Sequence, residues 1–164
     1  MRKRNESDLT GNYGIGFTTN GKTFLFDKED YEKISNYCWF YAHGYLVSCA
    51  NGYKNPRVYM HRFLLDCPSD KVVDHINHDT LDNRKCNLRI CSRAENNRNV
   101  TITSQNSSGV RGVGLNNKKN RWVARITYNN KEYFLGSFLT KEEAIKTRKE
   151  AEQKFFGEFA YKEN

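Results

Sequence analysis

A stretch that suits neither helix nor strand divides this chain. Residues 101–108 are small and polar, show no hydrophobic period and run into Gly109, which makes them a linker between two folded units. With 164 residues in all, a break there leaves two small units, each able to bury only a modest core. Aromatic side chains supply much of that core: ten Tyr, ten Phe and two Trp contribute to a hydrophobic content of 37%.

Charge is spread unevenly across the break. Residues 1–100 carry 15 basic and 12 acidic groups, and residues 101–164 carry 12 and 7. Within 110–131 there are six cations and no acid. A formal net charge of +8 concentrates polyanions near the surface and puts nucleic acid first among partners. Charge alone does not settle the matter, because many basic proteins bind no DNA. Five cysteines, at 38, 49, 67, 86 and 91, form no CxxC pair and make an odd count, which argues against a zinc ribbon or a closed disulfide framework. The charged N-terminus and the lack of any apolar run approaching ~20 residues argue against a membrane span. The expectation is a reduced, cytoplasmic protein with no small-molecule substrate.

The first third reads as strands at 13–18, 23–26, 38–42, 45–49 and 57–65, with a short helix over 27–36. Asn20-Gly21 and Asn51-Gly52 are dipeptides that favour tight hairpins. Further on come Val72-Val73-Asp74-His75-Ile76, a polar loop, and Asn87-Leu88-Arg89-Ile90-Cys91. Ser92 and Glu95 then have the spacing of a capping box, so a helix should open there with Asn96 on its first turn.

This strand, loop, strand and helix resemble the ββα-metal motif of HNH nucleases, especially the homing endonucleases of phages and introns. The likeness spans about thirty residues, 71–99: Asp74-His75 on the first strand, Leu81-Asp82-Asn83 in the loop, Asn87-Leu88-Arg89 on the second strand and Glu95-Asn96 in the helix. It implies that Asp74 and Asn96 bind one Mg²⁺ or Mn²⁺ and that His75 is the general base. A neutral imidazole with a pKa of roughly 6.5 can take a proton from water near neutral pH. It also implies that Asn87 orients the His75 ring. Each residue has a bland alternative: an isolated Asp-His pair is more often a surface feature, Asn87 a turn residue and Asn96 an exposed helix residue. The four in this order are much harder to ascribe to coincidence. His61, in a stretch that also resembles these enzymes, could pack beneath the site or face DNA, and a structural role suits it better. His78 could touch phosphate but is more simply a solvated loop histidine. Arg93 and Arg98 could hold backbone phosphates or be ordinary solvated arginines.

After the linker, strand-like stretches at 110–115, 121–128 and 132–138 precede a helix that starts at the capping box of Thr140 and Glu143 and stops at Gly157. Gly109-Val110-Arg111-Gly112-Val113, Arg121-Trp122-Val123-Ala124-Arg125-Ile126 and Phe134-Leu135-Gly136 are similar to the DNA-binding domain of plant APETALA and ethylene-response-factor proteins. Alternation places Trp122, Ala124 and Ile126 on one face of the middle strand and Arg121, Val123, Arg125 and Thr127 on the other. The second face could lie in the major groove of double-stranded DNA, with Arg111 beside it and Lys118 and Lys119 near phosphates. A solvated basic sheet face is the plain alternative. Gly114, Asn116, Glu132 and Phe134 depart from the plant pattern, so the plant target sequence does not carry over.

The expected fold is therefore α+β: a β-rich region leading into the ββα core, together 1–100, a linker at 101–108, and a three-stranded antiparallel sheet on one helix over 109–164. The function expected is a metal-dependent DNA endonuclease, a homing or nicking enzyme, with the single motif favouring a monomer. The alternative is a DNA-binding regulator in which the motif survives only as scaffold.

Overall fold

The computed structural model describes residues 4–49, 57–97 and 108–160. The chain divides into two compact units, one ending at Asn96 and the other starting at Asn97. Strands and helices occur in both, an α+β architecture built from small antiparallel sheets.

The first unit opens with β1 (Glu6–Asp8), β2 (Gly14–Phe17) and β3 (Thr23–Phe26), paired in that order. Gly14 and Gly16 lie opposite Phe26 and Phe24. A Cβ at either glycine would run into the facing ring, so glycine lets both aromatic rings lie across β2 and close the core. A 3₁₀ turn (Lys28–Asp30) and α1 (Tyr31–Ser35) follow where the short helix is expected. The second sheet consists of β4 (Phe40–Ala42), β5 (Tyr45–Cys49) and β6 (Arg57–Tyr59). His43 and Gly44, both at positive φ, turn β4 into β5. Asn51-Gly52 falls outside the described residues.

One expected element differs. The strand foreseen over 57–65 ends at Tyr59, and Met60–Leu64 coil into α2. Met60, His61 and Leu64 are buried there, a spacing that one helical face satisfies and an alternating strand does not.

The motif itself comprises β7 (Val72–His75), β8 (Leu88–Cys91) and α3 (Arg93–Asn96), which packs against β7. A two-stranded hairpin is marginal by itself. Here Val73 and Leu88 join a core dominated by the preceding residues, among them Phe24, Phe26, Trp39, Leu46 and Met60. The loop between β7 and β8 is also sewn to β3. Leu25 N donates to Leu81 O (2.9 Å), and Asn83 N donates to Leu25 O (2.9 Å). Beside that bridge, Lys85 N donates to Asp27 Oδ2 (2.7 Å).

The second unit is a three-stranded antiparallel sheet in the order β11 (Lys131–Phe138), β10 (Arg121–Tyr128), β9 (Val113–Asn116), with α4 (Lys141–Phe156) against it. Thr140 and Glu143 form a reciprocal capping box, and Gly157 follows the last turn. Ala124 and Ala144 are fully buried between sheet and helix. Ser108, the last residue of the expected linker, is buried in this unit, its hydroxyl placed against the carbonyls of Val110 (2.9 Å) and Val113 (2.8 Å).

Candidate active site

The register of the β7/β8 hairpin sets the first feature of the site. Asp74 lies opposite Arg89 and His75 opposite Leu88. Directly opposed residues share a face, and Arg89 uses that proximity: its Nη2 and Nε both donate to Asp74 Oδ2, at 2.6 and 2.9 Å. Both side chains are largely buried. The guanidinium supplies the countercharge without which a carboxylate at this depth would be costly.

His75, the next residue, faces the opposite side of the strand and is 5% exposed. Its ring meets His61 edge-on, with centroids 5.2 Å apart, and lies 6.3 Å from the Tyr45 ring. Tyr45 and Tyr59 flank His61 at 5.0 and 5.8 Å. Burial holds the His75 imidazole below its ordinary value, opposed by the Asn83 amide and by the carboxylates of Asp74, Asp79 and Asp82. His61 is pushed down further, to about 3, by burial and then by His75 and Arg62 nearby. Both rings are therefore neutral at pH 7. His61 packs against the His75 ring.

The loop that follows is held by its own polar side chains. Asn87 Nδ2 donates to Asp82 O (2.8 Å), and Asn87 Oδ1 accepts from Asn77 N (2.9 Å). Asn87 thus bonds to the loop backbone through both ends of its amide. Position 87 sits at the base of the loop, where its amide spans the turn, and Asn83 is held to β3 by its backbone bond to Leu25 O (2.9 Å). Asp82 accepts from Arg84 Nε and Nη2, both at 2.7 Å. Burial by itself would raise the Asp82 carboxyl, but the guanidinium overcomes it and the net shift is downward. His78, at positive φ (65°), donates its amide to His75 O (3.0 Å) and turns the chain out of β7.

Asn96 sits on α3. Ser92 N donates to Glu95 Oε2 (2.7 Å) and Glu95 N to Ser92 Oγ (3.2 Å), the expected capping box, and Asn96 N donates to Ser92 O (3.0 Å). The Asn96 side chain is half-buried and Arg93 is exposed. Arg98 falls outside the described residues.

In the second unit, Arg111, Lys118, Lys119, Arg125 and Thr127 are exposed and Arg121 is half-buried. Arg121 Nη2 donates to Ser137 O (3.1 Å), and Arg125 pairs with Glu132 (3.2 Å). Phe134, paired with Arg125 across the strands, is 64% exposed on the same face.

Residues 66–98 match the family model of HNH endonucleases. An uncharacterized HNH endonuclease of Acanthamoeba polyphaga mimivirus is 34% identical over 157 residues, which cover 89% of this chain and 79% of the viral protein. The chain belongs to the HNH endonucleases. Protein 3.8 of Escherichia phage T7 is 27% identical over 66 residues, 40% of this chain and 54% of the phage protein. No solved structure matches.

As an HNH endonuclease, the protein is a hydrolase that acts on DNA. Two residues beside Asp74 and His75 escape sequence reading as site residues: Arg89 and Tyr45. For Arg89 a signal exists, because a hairpin that pairs Asp74 with position 89 must bring them together. Tyr45 reaches His75 through sheet packing that no local pattern encodes.

Proposed function

We propose that this HNH endonuclease cuts double-stranded DNA with His75 as the general base and one divalent ion, Mg²⁺ or Mn²⁺, held by Asp74 and Asn96. The observation that carries this reading is the burial of the consecutive residues Asp74 and His75 on β7, the strand that packs against the helix bearing Asn96. Hard cations take oxygen ligands, and a carboxylate and an amide supply two. Among the described residues no group of three His, Cys, Asp or Glu comes together, so water and DNA phosphate oxygens would complete the shell. When bound, the ion polarises the phosphate and offsets charge on the departing 3′ oxygen.

The chain's own residues do the rest. His75, neutral because it is buried, accepts a proton from the attacking water. Carboxylates at Asp74, Asp79 and Asp82 favour the imidazolium that results. Arg89 holds in place the Asp74 carboxylate that would bind the ion. His61 and Tyr45 pack on the His75 ring and keep bulk water from its apolar side.

Selection of the locus falls to the second unit in this reading. Its exposed basic face, a three-stranded sheet backed by α4, suits a major groove. One active site per monomer makes a nick the expected product.

The test is cleavage of supercoiled plasmid with Mg²⁺, with and without chelator, by the native chain and His75→Ala. Chelator should abolish cutting, and His75→Ala should slow it by about 10²–10⁴-fold with DNA binding retained. Open-circular product marks a nick and linear product a double-strand break. Equal cleavage under all conditions sinks this assignment.

A further inference from the structure

We infer that Tyr45 is a DNA-contacting residue at the rim of the cleavage centre: its ring lies against the deoxyribose next to the scissile phosphate, and its hydroxyl donates to a neighbouring phosphate oxygen. This rests on hydrolysis taking place beside His75. Strand register builds the rim. Tyr59 on β6 lies opposite Val47 on β5, two residues beyond Tyr45, so Tyr45 and Tyr59 share a face as diagonal neighbours. Their rings meet edge-on, with centroids 6.0 Å apart. Both rings close on His61 of α2, at 5.0 and 5.8 Å, and the Tyr45 ring is 6.3 Å from that of His75.

Exposure separates Tyr45 from the rings behind it. His61 and His75 are buried, whereas Tyr45 is 37% exposed. One side chain therefore touches both the base position and solvent. Among the described residues its hydroxyl has no hydrogen-bond partner, and neither has the buried Nδ1 of His61. Polar groups left open at the edge of a site are satisfied by a polar ligand or by water. Distance points to the ligand. Attack needs water at roughly 3 Å from the imidazole and about 3–3.5 Å from phosphorus. The scissile phosphate then lies about 6 Å from the ring nitrogen, as far off as the Tyr45 ring is. Successive nucleotides advance about 3.4 Å along the duplex axis, which brings the adjacent deoxyribose and phosphate within reach of Tyr45. Bases are stacked inside the duplex, so what meets an exposed ring there is sugar and phosphate, groups that tyrosine hydroxyls commonly contact. Such a contact reads no sequence. It sets the position of the strand over His75.

The experiment uses the full chain and Tyr45→Phe, which keeps the ring and removes only the hydroxyl. Affinity for a plasmid-derived duplex is measured with and without that substitution in the His75→Ala background, where DNA stays intact. Tyr45→Phe should weaken binding about tenfold, the lower end for a hydrogen bond to a charged group. With His75 present it should raise KM for DNA more than it lowers kcat. Its thermal midpoint should match the native one, because the hydroxyl bonds to no described residue. A second set of duplexes spans a cut mapped in the plasmid and carries a neutral methylphosphonate at the phosphate on either side of it. At one of these positions the modification should cost the native chain about tenfold and cost Tyr45→Phe nothing further. Equal affinity with Tyr or Phe at position 45, or equal methylphosphonate losses at both positions, overturns the inference, and Tyr45 then only shields His75. If His75→Ala cuts as fast as the native chain, the base assignment has failed, and the affinity comparison, repeated with chelator, still decides whether Tyr45 meets DNA.

Discussion

The two units treat their polar side chains in opposite ways. The first buries Asp74, His75, Asp82, Asn83 and Asn87 and builds a bonded network around them. The second leaves Arg111, Lys118, Lys119, Arg125 and Thr127 in solvent, with Arg148, paired to Glu152 at 2.8 Å, as its buried charge. Chemistry benefits from fixed dipoles in a medium where electrostatic interactions are strong. A surface that meets a phosphate backbone needs cations that are hydrated and free to adapt. Burying so many polar groups is costly, and the first unit offsets this with a large aromatic core of Phe24, Phe26, Trp39 and their neighbours. The second, with less to bury, manages on Val110, Val113, Ala124 and Ala144.

Deleting one arginine from each unit puts that contrast to a direct test. Arg89→Ala strands the Asp74 carboxylate and should destabilise the first unit by about 3–5 kcal/mol, measured by urea unfolding. A loss below 1 kcal/mol would show that the Asp74 pair behaves as a surface pair does.

Acid should also separate the units. His61 titrates near 3 in the folded protein and near 6.5 once unfolded. Between those values the unfolded chain binds the extra proton, so the stability of the first unit falls as pH drops from about 6.5 toward 3. His75, shifted in the same direction, adds to the loss. Thermal melts at pH 7.5 and pH 4.5 should differ for the native chain and differ less for His61→Gln; parallel behaviour of the two proteins would mean that His61 is not the group responsible.

The face proposed to meet DNA is probed by salt. Replacing Lys118 and Lys119 together with Ala should leave stability alone and reduce the slope of log affinity against log salt by about 1.8, at roughly 0.9 per phosphate contact. An unchanged slope would place those cations away from the backbone. The smallest effect belongs to Arg125→Ala. Its pair with Glu132 is more than half exposed on both sides, and stability should change by under about 1 kcal/mol, while DNA affinity drops if the sheet face is the reader.

Much of the local structure was legible because it depends on neighbours in sequence. Both capping boxes form as Ser92, Glu95, Thr140 and Glu143 imply. The alternation of β10 buries Ala124 and Ile126 and exposes Arg125 and Thr127. The turn from strand to helix at Met60 was not legible, since a short run of apolar residues fits either period. The partner of Asn87 was not legible either, because amides bond to whichever group the fold brings within reach.

By itself, the sequence determined that Asp74, His75, Asn87 and Asn96 occur in the order of an HNH motif and that a basic sheet follows a polar break. Those properties live in composition, spacing and period. Only the tertiary structure decided that Arg89 holds Asp74, that Asn87 bonds to Asp82 O and Asn77 N, and that β3 carries the loop through Leu25. Each of these contacts joins residues on different strands or on either side of a loop, and what brings them together is strand register and the closing of a shared core. A linear pattern contains neither.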